Sequence, residues 1–430
     1  MGCGEESALS TNKHSGVFYG WWIVLASGII ILFTDGLVSF SLTAFFTPII
    51  DHFGWSYAAL SLVFSLRAVE MGIASPVIGV LTDRVGPRKV AFVGAFLAGL
   101  GMILLSRVSS LAMFYLVFIM VSVGLSGCSS QVQIVAVANW FRRRIGTATG
   151  LLQMGGGAGS LTLPLAVWLI TQYSWQTSLV VLGICIWVVC LPLSLVVRHK
   201  PEQYGYHPDG DTDTFLAKES ESKEDTTSAV LPEVEYSARE ALRTRSFWML
   251  MLTGAVGIMG LGVILLHYMP YLESVGISRE TAGRMMIIFA AFNIASRFGF
   301  GWLGDRFAKK NLFAIILALE AIGLLTFAYA RSAWGVVPFL ITFGPAWGGL
   351  AVVMLTIQRE YFGRSAFGSV RGLMLAGIVV PIVAAPAVVG WVFDVRGSYH
   401  LAWLVLAALC AAAVPLALRM KPPVKKAAGV

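Results

Sequence analysis

Charge is what this 430-residue sequence has least of: Asp, Glu, Lys and Arg make up 13% of it, against 57% apolar residues. Soluble domains carry about a quarter charged residues, so a set of water-exposed domains is excluded. Extended polar stretches are equally scarce. With a mean hydropathy of +0.78, apolar runs of about twenty residues recur along nearly the whole chain. Cysteine is sparse: Cys3, Cys128, Cys185, Cys190 and Cys410 fall mostly within apolar runs and lack metal-ligand spacing, so they read as small buried hydrophobes. A phosphate-binding loop is missing too. Gly155, Gly156, Gly157 and Gly159 sit inside an apolar run with no Gly-Lys-Ser/Thr after them, which suits close helix packing and leaves ATP unsupported as an energy source. No paired carboxylates, nucleophile constellation or metal cluster occurs at credible spacing, so no enzyme activity and no cofactor is expected. The first apolar run is too long for a signal-peptide core and is expected to remain as a span. Glu6 stands where a myristoylation pattern needs Ser or Thr, so lipidation at Gly2 is rejected.

What is present is twelve apolar runs, near 18-47, 57-81, 88-107, 111-138, 146-170, 175-197, 246-273, 281-303, 311-330, 333-358, 369-393 and 398-419. The fold class expected is all-α integral membrane, with twelve transmembrane helices in two six-helix pseudo-symmetric halves, 18-198 and 244-419. The loops after spans two, four, eight and ten collect Arg84, Arg88 and Lys89; Arg142, Arg143 and Arg144; Arg306, Lys309 and Lys310; and Arg359, Arg364 and Arg371. The opposite loops hold only scattered arginines, so the positive-inside rule makes the basic loops cytoplasmic. The tails 1-17 and 420-430 fall on the same side, in a multi-pass protein of the cell membrane. The segment 199-243 turns acidic and polar and is expected to be a mostly disordered cytoplasmic linker, ending in a capping box at Ser237 and Glu240. That linker has eleven acidic and five basic residues, so the net +8 of the chain becomes +14 outside it. The excess lies in membrane-flanking loops, where lipid headgroups and not nucleic acid are the expected partner.

The halves repeat. GVLTDRVGPRKV (79-90) corresponds to GWLGDRFAKKNL (301-312), and WFRRRIGTATG (140-150) to YFGRSAFGSVRG (361-372), with Asp83 and Asp305, and Gly146 and Gly368, each at an offset of 222 residues. One offset for two loops implies a duplicated six-helix unit, parallel because six is even, with a midplane site between the halves.

Charges inside spans point to that site. Arg297 lies in the otherwise apolar stretch AFNIASRFGFGWLGDRF (291-307), with Asn293 four residues earlier on the same helical face. A cation in hydrocarbon costs several kcal/mol, so it is expected to face a cavity or a partner. Asp35 in span one and Arg67 in span two lie at matched depth, roughly 25 Å by helix rise, and can pair. Glu70, one turn from Arg67, can neutralise that arginine instead. A carboxylate that changes partner as the halves move is a candidate proton carrier, and a static structural pair is the competing reading. Gln131, Gln133, Gln153 and Trp347 can bond a substrate or a neighbouring helix, and His267, Tyr268 and Tyr271 can line a vestibule or the membrane interface. Glu320 has no evident role.

Gly79-x-x-x-Asp83-Arg84-x-Gly86-Pro87-Arg88-Lys89 resembles the signature loop of the major facilitator superfamily, and Gly301 to Lys310, with Asp305 and Arg306, resembles its degenerate second copy. The resemblance implies a gating latch in which Gly79 lets helices approach, while Asp83 pairs with basic residues. Within the superfamily, Tyr19-Gly20-Trp21-Trp22, Trp140 to Arg144 and Asn293-Ile-Ala-Ser-Arg297 resemble the monocarboxylate porter and oxalate:formate antiporter group. That likeness implies an arginine, here Arg297, paired with a substrate carboxylate, whose planar guanidinium fork suits the match better than lysine. The span-one lysine of many such porters aligns with Phe40, and no span-eleven cation occurs between Leu373 and Trp391.

These readings converge on a secondary transporter that moves a small monocarboxylate by alternating access. Arg297 and Asn293 hold the anion, with Gln131, Tyr268 and Trp347 around it. Asp35, Arg67 and Glu70 couple transport to protons or to a counter-anion. Gly79, Asp83, Arg84, Arg88, Asp305 and Arg306 gate. An exporter of an amphipathic compound is the alternative, in which Arg297 only pairs with an acidic side chain. A membrane sensor signalling through the linker ranks below both.

Overall fold

The computed structural model describes residues 17–36, 41–55, 57–159, 162–210 and 235–423. The first half contains α1 (Tyr19–Gly36), α2 (Phe46–Phe53), α3 (Tyr57–Val85), α4 (Pro87–Leu105), α5 (Leu111–Cys128), α6 (Ser130–Trp140), α7 (Ile145–Ala158), α8 (Thr162–Gln172) and α9 (Trp175–Val196). After the short α10 (Ala238–Leu242), the second half contains α11 (Arg245–Ser274), α12 (Arg279–Gly304), α13 (Lys309–Ala328), α14 (Ala333–Phe362), α15 (Phe367–Arg396) and α16 (His400–Leu418). Ten helices among the described residues are long and apolar enough to cross a membrane, with α5 and α6 counted together. The remaining two of the twelve spans are α3, which carries Arg67, Glu70, Asp83 and Arg84, and the pair α7 and α8.

Local chemistry explains where these helices begin. Ser110, Ser174, Ser278 and Ser332 each accept a hydrogen bond from the backbone N–H three residues on, and so cap α5, α9, α12 and α14. All four helices start on the face opposite the linker. A serine cap satisfies an otherwise orphaned donor and is worth about 1 kcal/mol. Span four is broken at Ser129, whose hydroxyl donates to the Ser126 carbonyl at 2.7 Å and competes with the helical ladder. In the first span, α1 is described over Tyr19–Gly36, and a 3-10 turn (Leu42–Phe45) leads into α2. Phe40, aligned with the lysine of other porters, lies outside the described residues.

Glycines set the helix contacts that matter. A Cβ on Gly79 of α3 would collide with the Gly368 carbonyl oxygen of α15, and one on Gly301 of α12 with that of Gly146 on α7. Gly79 and Gly301 are 222 residues apart, as are Gly146 and Gly368, so one crossing occurs twice between the halves. Within the first half, Gly155 and Gly159 bring α7 against Gly28 and Gly36 of α1 with the same backbone proximity.

The two ends of the linker are ordered, and the expectation of disorder concerns its middle, which lies outside the described residues. Residues 199–210 and 235–243 pack on the protein, and only 211–234 lies outside the described residues. Tyr206 stacks on Tyr19 and contacts Phe18 and Trp140, Arg198 lies 4.0 Å from the Tyr19 ring, and Asn139 donates to the His199 carbonyl. At the other end, the capping box forms: Ser237 N–H donates to Glu240 at 2.8 Å, and Glu240 N–H to Ser237 Oγ at 3.3 Å. At these two ends Asp209, Glu235 and Glu240 each accept from backbone N–H groups.

Candidate functional site

Arg297 sits on α12 where the two halves meet, and it is 8% exposed. Its Nε donates to Asn293 Oδ1 at 3.1 Å, one turn back, and its Nη1 to the Gln153 carbonyl of α7 at 2.6 Å. The guanidinium carbon lies 5.7 Å from the centre of the Trp347 ring on α14, within cation–π range. These contacts engage two of five guanidinium donors and leave the rest of the fork for another acceptor. Asn293 is buried, and its Nδ2 has no hydrogen-bond partner.

Asp35 approaches the same place from α1. A Cβ on Gly156 would lie 3.5 Å from Arg297 Nη1 and 3.7 Å from Asp35 Oδ2, so the two charges flank Gly156 of α7. Both Arg67 and Arg297 act on the Asp35 charge. Arg67 itself is committed elsewhere. Its Nη1 donates to Glu70 at 2.5 Å, to the Ser122 carbonyl at 2.9 Å and to Ser126 Oγ at 2.9 Å, which ties α3 to α5 within one half. Of the two pairings open in the sequence, Arg67 therefore takes Glu70. Depth along a helix fixes height but not direction, which is why sequence could not separate them.

Two expected substrate residues are not at this site. Gln131 Nε2 donates to the Ser75 carbonyl at 2.8 Å, joining α6 to α3. Tyr268 is 1% exposed, stacks on Phe327 and directs its hydroxyl at the Ala282 carbonyl, so it belongs to the core of the second half. Tyr271 likewise caps the end of α13 through the carbonyls of Phe327 and Ala330, and His267 contacts the Pro386 carbonyl at 2.9 Å. Trp347, by contrast, faces a cavity of about 150 Å³ together with Gln153, Gln358 and Arg371. Arg371 was read as a solvated loop residue. It is instead 9% exposed, the fifth residue of α15. The repeat carried the signal, since an offset of 222 equates Arg371 with Thr149, inside α7. Glu320, on α13, is 1% exposed, has no partner for either oxygen, and lies against Gly257 of α11.

The contacts between the halves on the linker face are built from helix ends. Helices α7 and α15 have no side-chain cap of their own. Asp305, at the end of α12, accepts from Gly146 N–H at 2.6 Å, Thr147 N–H at 2.8 Å and Thr147 Oγ1 at 2.6 Å. Asp83, at the end of α3, accepts from Gly368 N–H at 2.9 Å, Ser369 N–H at 2.7 Å and Ser369 Oγ at 2.6 Å. Each aspartate thus caps a helix of the opposite half, where the dipole favours an anion. The latch differs from the expected pairing with basic residues: Arg84 and Arg88 are exposed and make no ion pair among the described residues, and Arg306 stacks on Trp302 at 3.7 Å. Backbone donors win because the glycine crossings bring those N–H groups to the carboxylate.

A family profile described as Major Facilitator Superfamily matches residues 28–344 and 264–429. The chain belongs to this superfamily. Among relatives of this transporter, monocarboxylate transporter 12 of Rattus norvegicus is 26% identical over 408 residues, covering 90% of this chain and 82% of its own. The oxalate:formate antiporter of Oxalobacter formigenes is 23% identical over 360 residues, covering 83% and 81%. The solved human organic anion transporter MFSD10 superposes with a TM-score of 0.71 at 12% identity, covering 93% of this chain and 99% of that one. The protein is accordingly a multi-pass membrane transporter related to monocarboxylate porters, and not an enzyme.

Proposed function

We propose that this transporter moves a small monocarboxylate across a cell membrane by alternating access, with Arg297 as the group that binds the carboxylate. The observation carrying this reading is a buried guanidinium between the halves, with two donors fixed by Asn293 and Gln153 and the others free for an anion. Charge-assisted, fork-shaped bonding makes that group selective for carboxylate geometry. Trp347 closes one side of the site, and Asp35 stands across Gly156. When the anion is bound, Arg297 is neutralised and its hold on Asp35 weakens, which is a route to coupling with a proton or a counter-anion. The names of the relatives support the same substrate class. The basic loops support a cytoplasmic linker face. With both aspartate latches closed there, the site belongs to a state sealed on that face.

The test is uptake of labelled lactate, pyruvate, formate, acetate, oxalate and a neutral amide into proteoliposomes. Uptake of carboxylates that falls at least about tenfold in Arg297→Gln supports the clamp. Equal uptake by wild type and Arg297→Gln, at low and saturating substrate, overturns it.

The nearness of Asp35 favours a second reading, an exporter of amphipathic compounds in which Arg297 is simply its counter-ion. Efflux that no carboxylate inhibits, together with loss of fold in Arg297→Gln and recovery in an Asp35→Asn/Arg297→Gln double variant, would select that reading.

A further inference from the structure

Arg371 is the residue whose surroundings demand an explanation. It is nine-tenths buried beside the cavity that Trp347 and Gln153 also line, and its Nε has no hydrogen-bond partner. No carboxylate among the described residues pairs with it: Asp83 of α3, which reaches the start of α15, spends its oxygens on Gly368 and Ser369. Arg371 also lies near the N-terminal, positive end of α15, which compounds the cost of a cation there. A desolvated guanidinium without a counter-charge is among the least favourable arrangements a fold can hold. Across the cavity wall, Gln358 of α14 is 1% exposed and its Oε1 is also without a partner. The cavity, about 150 Å³, is about ten times the room one water needs.

We propose that Arg371 and Gln358 form a second anion-binding site that takes a carboxylate, separate from Arg297 and reached through the same cavity wall. The proposal rests on the carboxylate reading of Arg297 above and extends it. Arg371 supplies the charge-assisted donors, and the Gln358 amide supplies a neutral donor once its carboxamide turns toward the anion. Trp347 and Gln153 connect the two sites: Arg297 bonds the Gln153 carbonyl and stacks near Trp347, while both residues line the Arg371 cavity. The carboxylate can come from either of two sources. It is the far end of one dicarboxylate whose near end is on Arg297, or it is a second monocarboxylate.

The experiment is ligand-induced thermal stabilisation and counterflow of the full chain in lipid nanodiscs and proteoliposomes. Acetate, lactate, malonate, succinate and glutarate are compared in wild type, Arg371→Gln, Arg371→Lys, Gln358→Leu and Arg297→Gln. For a bridging dicarboxylate, Arg371→Gln weakens dicarboxylate binding about tenfold or more and leaves acetate and lactate unchanged. For a separate monocarboxylate, it lowers the number of lactate ions bound from two to one. Arg371→Lys recovers part of either loss, because charge is kept and the fork is not. Ligand-free Arg371→Gln unfolds at the same temperature as wild type or higher, since it removes an uncompensated buried charge. A lower unfolding temperature with unaltered carboxylate binding makes Arg371 a structural residue and overturns the proposal. Carboxylate binding that depends on Arg297 and is indifferent to Arg371 and Gln358 overturns it alone. Binding of no carboxylate by wild type overturns both readings together.

Discussion

At the residue scale, Arg297 is a buried guanidinium whose neighbours lie on both halves of the protein. Asn293 and the Gln153 carbonyl set the plane of its guanidinium, so orientation is settled in the fold. Arg297→Lys keeps the charge and loses the fork; the expected outcome is a KM raised about tenfold or more with protein yield unchanged, read by carboxylate uptake. Glu320 makes the opposite case, a buried carboxyl with no partner for either oxygen. Glu320→Gln keeps its shape and removes an ionisable group from the core, so the unfolding temperature should rise while uptake stays within about twofold. Arg297 was legible because a lone arginine in an apolar run cannot be solvated. Arg371 was not, because a basic residue three positions past a loop glycine-rich turn looks like any other cytoplasmic charge until the start of α15 is known.

At the element scale, the ends of helices carry the contacts between the halves. Two of the linker's acids repeat what the latch aspartates do: Asp209 accepts from the N–H groups of Arg142 at 3.0 Å and Arg143 at 2.8 Å, just before α7. Glu235 accepts from Arg364 N–H at 3.4 Å and Ser365 N–H at 2.7 Å, just before α15. Positions 142 and 143 map onto 364 and 365 at the repeat offset, so the linker grips corresponding turns of both halves. Glu202 adds an ion pair to Arg364 at 2.6 Å. Burial alone would raise the Glu235 carboxyl, but the Ser365 hydroxyl and the Ser365 and Arg364 N–H groups outweigh it and hold it below its ordinary value of 4.5. A depressed carboxylate contributes stability that is complete above its ordinary pKa and is lost as pH falls through the depressed one. Protease protection of 235–243 should therefore be flat from pH 7 to about 5 and fall only below 4.5, and Glu235→Gln should weaken it at every pH.

At the scale of the whole molecule, two copies of one contact hold the halves together on the linker face. Asp83 and Asp305 each make three hydrogen bonds to the opposite half, and bonds to a charged acceptor are worth about 1.5–3 kcal/mol each when a buried partner is lost. In a state open on that face these groups meet water instead, so the net contribution is smaller and acts on the balance between states. Asp83→Asn or Asp305→Asn should shift that balance toward the open state by about tenfold or more, and the double variant further. Spin-label distances between the ends of α3 and α15 would measure the shift. Unchanged distance distributions in both variants would remove the latch from the transport cycle. Gly146→Val should act likewise by wedging α7 from α12, with uptake lost and expression reduced, since the Gly301 carbonyl occupies the space a side chain needs.

The sequence by itself determined the class of this protein, the number of its spans, the duplication and the presence of a charge, Arg297, inside a span. Those follow from one-dimensional quantities: apolar run length against bilayer thickness, a constant offset between loops, and the cost of a charge in hydrocarbon. Tertiary structure alone decided who meets whom. Arg67 turned to Glu70, Asp35 and Arg297 came to flank Gly156, Gln131 and Tyr268 bonded neighbouring helices, and Arg371 entered a cavity. Each of these depends on the direction in which a helix face points after packing. Spacing along a chain gives the height of a side chain in the membrane, and only the crossings at Gly79 with Gly368 and Gly146 with Gly301 fix its direction.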